Sequence, residues 1–200
     1  MEEWQAPQWP ADWVELSPLA RIQAIAATVT DGTTARREDL RPLTVKVIRE
    51  VEDDQPASLS EAYRSFLSVM GGGAGRLFRG SDVYHPDVMG LWQAAQELLA
   101  ENGSPFELAT SDRVFFMHQG YQFWFLRGSD PDPEVWAYNE GSNGDVPLRE
   151  EACFTDWLRD VAQGEMQQWA HLVPWYEAQR KTGMVTFQRI HPDGSVTEEF

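Results

Sequence analysis

The residue types that most often perform catalysis are present in this chain but form no recognisable pattern. There is one cysteine, Cys153, and the four histidines lie far apart. Neither a His-x-x-x-His nor a Gly-x-Ser-x-Gly motif occurs. A single cysteine cannot form an internal disulfide or a cysteine-based zinc cluster, so we expect Cys153 to be a small buried side chain. The sequence therefore predicts no catalytic residue, no metal site and no cofactor.

Two further motifs look like ligand sites but have the wrong surroundings. The glycine-rich segment 71–75 follows a predicted helix, whereas a phosphate-binding loop follows a strand and opens a helix. We expect these glycines to end the helix and to allow close backbone packing. Asp130, Asp132 and Glu134 alternate with prolines, but the glycine turn and distant glutamate of a calcium loop are missing. We interpret them as part of a solvated acidic loop.

The negative charge of the chain limits the partners it can bind. Its 200 residues include 16 Lys and Arg against 32 Asp and Glu, a formal net charge of −16. This charge argues against direct binding to nucleic acid or to anionic membranes, and it favours fast association with a basic protein. A hydrophobic content of 42% excludes disorder along the whole chain and is enough for one core.

The segment 128–151 concentrates this charge, with seven carboxylates against one arginine. A protein interface here would combine acidic contacts with aromatic anchors, because Trp and Tyr are common hot-spot residues. The residues predicted to bind a partner are Asp130, Asp132, Glu134, Trp136, Tyr138, Glu140 and Asp145. The alternative interpretation is that these carboxylates only keep a loop soluble.

Hydrophobic periodicity predicts the elements that position these residues. A Trp-rich arm comes first, and helices are predicted over about 18–29, 39–53, 61–70, 86–102, 155–163 and 165–181. Strands are predicted over 76–78, 106–110, 113–118, 121–127 and 135–138, with a terminal hairpin over 184–190 and 195–200. The aromatic run 115–125 is apolar on both faces, which favours a sheet covered on both sides over an exposed aromatic binding face.

Several of these segments together resemble the SUKH superfamily. Residues 59–73 contain Leu-Ser-x-x-Tyr-x-x-Phe-Leu and then Met-Gly-Gly-Gly, similar to the family's Leu-Pro-x-x-Tyr-x-x-Phe-Leu and Asn-Gly-Gly. The resemblance continues through Val-Trp-Ala-Tyr at 135–138 to Phe-x-x-Trp-Leu at 154–158. It covers about 45–162 and departs from the usual pattern at Ser60 and Met70.

The resemblance implies a fold and a role. The fold would be α+β, with a central, largely antiparallel sheet of about four to six strands and helices packed against it. It implies a SUKH-like domain over 45–162, with an N-terminal arm and helix over 1–44. A helix and hairpin over 163–200 would pack on the same domain. Bacterial members resemble immunity proteins that neutralise toxins, often nucleases, and eukaryotic relatives are interaction hubs in cell-wall regulation.

The expected function is therefore a non-catalytic, protein-binding one, that of an immunity protein whose partner is a basic toxin domain. The acidic N-terminus has no signal-peptide pattern, so the expected location is the cytoplasm. Two alternatives stay open: a scaffold or regulatory interaction module, and a small hydrolase whose active site assembles only in the folded chain.

Overall fold

Hydroxyl side chains begin the first three helices. The computed structural model describes residues 4–181 and two later strands, Gln188–Ile190 and Val196–Glu198. Ser17, Thr44 and Ser60 each accept a hydrogen bond from the backbone N–H three residues on, at the starts of α1 (Pro18–Val29), α2 (Val45–Asp53) and α3 (Glu61–Met70). The cap of α3 is therefore Ser60.

The sheet is a five-stranded antiparallel meander. Its strands, in spatial and chain order, are β1 (Ser81–Asp82), β2 (Arg113–His118), β3 (Gln122–Arg127), β4 (Glu134–Asn139) and β5 (Leu148–Glu151). Later in the chain, β6 (Gln188–Ile190) pairs antiparallel with β7 (Val196–Glu198), as the sequence predicts for the terminal hairpin. The remaining residues of that hairpin lie outside the described chain. The α+β prediction is confirmed.

Two further helices complete the fold, α4 (Leu91–Glu101) and α5 (Phe154–Lys181). The predicted break at Gly164 between two helices is wrong, because α5 continues through this position, and it also contains Pro174. Ala162 and Met166, on either side of Gly164, are buried and hold that stretch of helix against the core. In the described part of the chain, no helix combines the length and apolar character needed to cross a membrane.

Other predicted boundaries are wrong for identifiable reasons. The helix predicted from 39 begins at Val45, since the N–H groups of Arg41 and Leu43 already bond to the carbonyls of Gly73 and Leu67. The helix predicted from 86 begins only at Leu91, after turns.

Two predicted strands are absent from the structure. The segment 106–110 is not a strand, and its Phe106 ring packs on that of Phe125 at 5.8 Å between centroids, which covers a sheet face. Residues 76–78 form turns instead of the predicted strand.

Aromatic rings of α3, β2 and α5 form the centre of the core. Phe115 lies 5.2 Å from Phe154 and 5.0 Å from Trp157, in edge-to-face contacts. Tyr63 of α3 packs on the same rings. The other face of the sheet is covered by α4 and the segment around Phe106. The prediction of a sheet covered on both sides is confirmed.

The N-terminal arm packs through two tryptophans. Trp13 is buried, and its indole N–H donates to Asp156 of α5 at 2.6 Å. Trp9 lies edge-on to Trp13 and donates to Gln163, about two turns after Asp156 along α5. The arm therefore covers the first half of α5.

The glycine segment lies directly against the backbone of residues 34–41. Gly72 donates to the carbonyl of Arg41 at 2.8 Å, and Arg41 donates to Gly73 at 2.9 Å. A Cβ on Gly75 would come within 2.8 Å of the Thr34 carbonyl oxygen, and its φ of +63° is a conformation that side chains disfavour. The prediction of close backbone packing is confirmed.

Candidate protein-binding surface

Strand β5 forms one edge of the sheet and carries acidic side chains next to the start of α5. Glu150 and Glu151 of β5 and Asp160 of α5 line one hollow of about 400 Å³, together with Trp157 and Val161. We refer to these five residues as the acidic hollow. Three carboxylates around one hollow form a surface suited to cationic side chains.

Hydrogen bonds fix the central carboxylate of the acidic hollow. One oxygen of Glu150 accepts from the indole N–H groups of Trp124 on β3, at 2.7 Å, and Trp157 on α5, at 2.9 Å. Glu150 itself remains exposed. Its charge is therefore held in one place before any partner arrives, which reduces the ordering cost of binding.

Glu134 and Trp136 belong to a second network, on the opposite face of the sheet from Trp124. The Trp136 indole donates to Glu134 at 3.0 Å, and Glu134 also pairs with Arg149 of β5 at 3.3 Å. The guanidinium of Arg127 lies 4.8 Å from the centre of the Trp136 ring. Both predicted residues are half-buried and accessible at the sheet surface.

Three other predicted contact residues point inward. Asp132 accepts the backbone N–H of Thr155 at 3.0 Å and pairs with Arg21 at 3.4 Å. Asp145 accepts from the N–H of Gly141 at 2.9 Å and closes a turn. Tyr138 is only 1% exposed and its hydroxyl accepts from the side chain of Asn102 at the end of α4, so it could touch a partner only if the sheet opened.

Asp130 and Glu140 are exposed, at the two ends of β4. The structure therefore keeps four of the seven predicted residues accessible, namely Asp130, Glu134, Trp136 and Glu140. Asp160 was missed because it lies on α5, and only folding brings it beside Glu150 and Glu151. Its charge alone does not distinguish it from the other acidic side chains of the helix.

Cys153 and His118, whose residue types hydrolases often use, each bond to a neighbouring side chain. Cys153 donates to Asp156 at 3.2 Å, and burial, followed by the charges of Asp132 and Asp156, raises the pKa of its thiol to about 11. A nucleophilic cysteine needs the opposite shift. His118 shares a hydrogen bond with Ser81 at 2.8 Å. Within the described ranges, no three His, Cys, Asp or Glu side chains are grouped to hold a metal.

The raised pKa predicts a slow reaction of Cys153 with iodoacetamide. At pH 8 the thiolate is about a hundredfold rarer than for an ordinary cysteine, and the greater nucleophilicity of a more basic thiolate offsets part of this. We expect alkylation about tenfold slower in the native protein than in urea, with the native rate rising until about pH 11. Mass spectrometry of timed samples measures both rates. Faster alkylation of the native form would reveal an activated thiol.

A protein-family match covers most of the residues that form this surface. The model of the SMI1/KNR4 family (SUKH-1) matches residues 42–160. The match runs from just before α2 to the second turn of α5 and includes the whole of β1 to β5. It is more than half of the chain. No curated protein matches the sequence.

Proposed function

Because the chain belongs to the SMI1/KNR4 family (SUKH-1), we propose that it is a non-catalytic protein-binding domain of the immunity type. In this proposal it binds and neutralises a basic toxin domain, such as a nuclease, in the cytoplasm. The observation that supports it most is the acidic hollow, where Glu150, Glu151 and Asp160 come together beside Trp157.

Charge supports the choice of a basic partner. A nuclease domain binds the phosphates of nucleic acid with Lys and Arg, so it presents a positive surface. A chain with a net charge of −16 attracts such a surface over a distance, and carboxylates concentrated at one sheet edge orient the encounter. Charge complementarity of this kind mainly raises the association rate.

Exposed apolar side chains beside the carboxylates would slow the dissociation of the complex. Leu148 on β5 is 57% exposed, and Val146 just before it is 38% exposed. Trp136 adds a half-buried aromatic ring close to Arg149, on the opposite face of the same edge, where a partner that wraps around β5 would reach it. Apolar and aromatic groups inside a charged rim are the usual composition of a tight interface.

The first test is capture of the partner. The protein is co-expressed with the product of the gene immediately upstream and purified through a tag. We expect a one-to-one complex with a basic domain, and co-expression should rescue growth of cells that produce that domain. Purification of the protein alone, or in complex with a host regulatory protein, would overturn the immunity proposal.

Charge reversal then locates the interface. We expect the triple variant Asp130→Lys, Glu140→Lys and Asp160→Lys to slow association with the captured toxin domain by about tenfold or more at low salt, with a flatter salt dependence. Stopped-flow fluorescence measures the rate. The matched control reverses three exposed carboxylates elsewhere, Glu38, Asp87 and Glu97. Equal slowing by both triples would mean that net charge acts without a defined site.

A further inference from the structure

A second cavity lies at the β1 edge of the sheet, and its lining contains basic side chains where the acidic hollow has carboxylates. It measures about 500 Å³ and is lined by Arg76, Arg79, His118, Glu165, Trp169 and Tyr176, among others. This volume is typical of sites for small molecules. His118 pairs with Ser81 of β1, so the cavity is separated from the acidic hollow by the width of the sheet.

Arg76 forms a wall of this cavity with unused hydrogen-bonding capacity. Its guanidinium lies 5.8 Å from the centre of the Trp169 ring, and one terminal N–H group donates to the carbonyl of Thr33. The Nε of Arg76 is buried and has no hydrogen-bond partner within the described part of the chain. A buried N–H that bonds to nothing costs free energy, so the described protein groups do not fully satisfy the guanidinium of Arg76.

The other walls suit an anion with a flat apolar body. Arg79 and His118 bring further hydrogen-bond donors to the cavity, while Trp169, Leu172 and Tyr176 provide apolar surface. The single carboxylate among these residues, Glu165, accepts from the Trp169 indole at 3.0 Å, and burial raises its pKa. Two arginines in one cavity stand out in a chain whose net charge is −16.

We propose that this cavity is a binding site for a small organic anion. Its carboxylate or phosphate group would bond to Arg76 and Arg79, and its planar body would lie against Trp169. The site goes beyond the protein-binding role and does not depend on it. Glu165 to Tyr176 lie past residue 160, where the family match ends, so this chain builds the site with a part of α5 beyond the match.

A pair of matched dyes tests the proposal. The anion 8-anilinonaphthalene-1-sulfonate and the uncharged N-phenyl-1-naphthylamine share one aromatic body and differ by the sulfonate. We expect the native protein to bind one molecule of the anion at least about tenfold more tightly than the uncharged dye. Fluorescence titration measures both affinities. Equal affinities would overturn the proposal, because they would show apolar binding without recognition of the charge.

Variants then assign the binding to this cavity. We expect Arg76→Gln and Arg79→Gln each to weaken binding of the anionic dye by about tenfold, while the exposed control Arg49→Gln leaves it unchanged. Leu172→Trp narrows the cavity and should abolish binding of both dyes. A cooperative thermal transition confirms folding, and if Arg76→Gln fails to fold, the other two variants decide. Unchanged binding in Arg79→Gln and Leu172→Trp would place the dye elsewhere and refute the site.

Discussion

Replacing Asp132 with alanine is expected to lower the free energy of unfolding by about 2–4 kcal/mol. Its carboxylate accepts the backbone N–H and the hydroxyl of Thr155 at the start of α5, and it pairs with Arg21. Both charged side chains are about 15% exposed, so water can replace little of what is lost. The variant leaves a buried guanidinium and an open helix end. Urea denaturation followed by circular dichroism measures the change.

The neighbouring carboxylate provides the control. Asp130 lies two residues away and is exposed, so Asp130→Ala should change the free energy of unfolding by less than about 0.5 kcal/mol. Asp132→Asn keeps an acceptor for the Thr155 N–H but loses the charge. We expect its free energy of unfolding to lie between those of Asp132→Ala and Asp130→Ala. A stable Asp132→Ala protein that no longer binds its partner would make Asp132 a contact residue instead.

Replacing Asp112 with alanine is expected to cost about 3–5 kcal/mol. Asp112 is fully buried and accepts two hydrogen bonds from Arg127, at 3.0 and 2.7 Å, and one from the N–H of Ala109, at 2.9 Å. The guanidinium is enclosed by the rings of Phe106, Phe125 and Trp136. Without the Asp112 carboxylate, this cation would lie among aromatic rings with no hydrogen-bonded counter-charge, and only the charge of Glu134 would remain near it.

A double variant measures the interaction between Asp112 and Arg127. Arg127→Met removes the charge and keeps most of the apolar volume, so Asp112→Ala with Arg127→Met should recover part of the loss. The exposed pair of Lys46 and Glu50 on α2 is the contrast, and Glu50→Ala should cost less than about 0.5 kcal/mol. The single variant Arg127→Met completes the cycle, and a loss in the double variant equal to the sum of the two single losses would show that the two side chains act independently.

Strands with alternating apolar and polar side chains, or with many aromatic ones, could be predicted from the sequence. Strand β5 could not. Strands β2 to β4 are found within a residue or two of their predicted bounds, because their apolar side chains are buried whichever face they occupy. Leu148 to Glu151 show no such pattern, since an edge strand exposes most of its side chains. Its structure comes from pairing with β4 rather than from its own composition.

The candidate site could be predicted only in part for a related reason. Composition identified an acidic segment, but some of its carboxylates bond to partners elsewhere in the chain. Asp132 turns inward because Arg21 and Thr155 are there to meet it. Asp160 joins the site because α5 packs beside β5. Charge density predicts which segment is acidic, whereas tertiary contacts decide which of its side chains a partner can reach.

The bond between Asp132 and Thr155 also has a consequence for the order in which the protein folds. The group that accepts the N–H of Thr155, the second residue of α5, comes from a loop 23 residues earlier in the chain. The first turn of α5 therefore gains this stabilisation only after β4 and its preceding loop are in place. We expect variants at Asp132 to speed unfolding with little effect on the refolding rate, so that α5 docks at a late step on a sheet already formed.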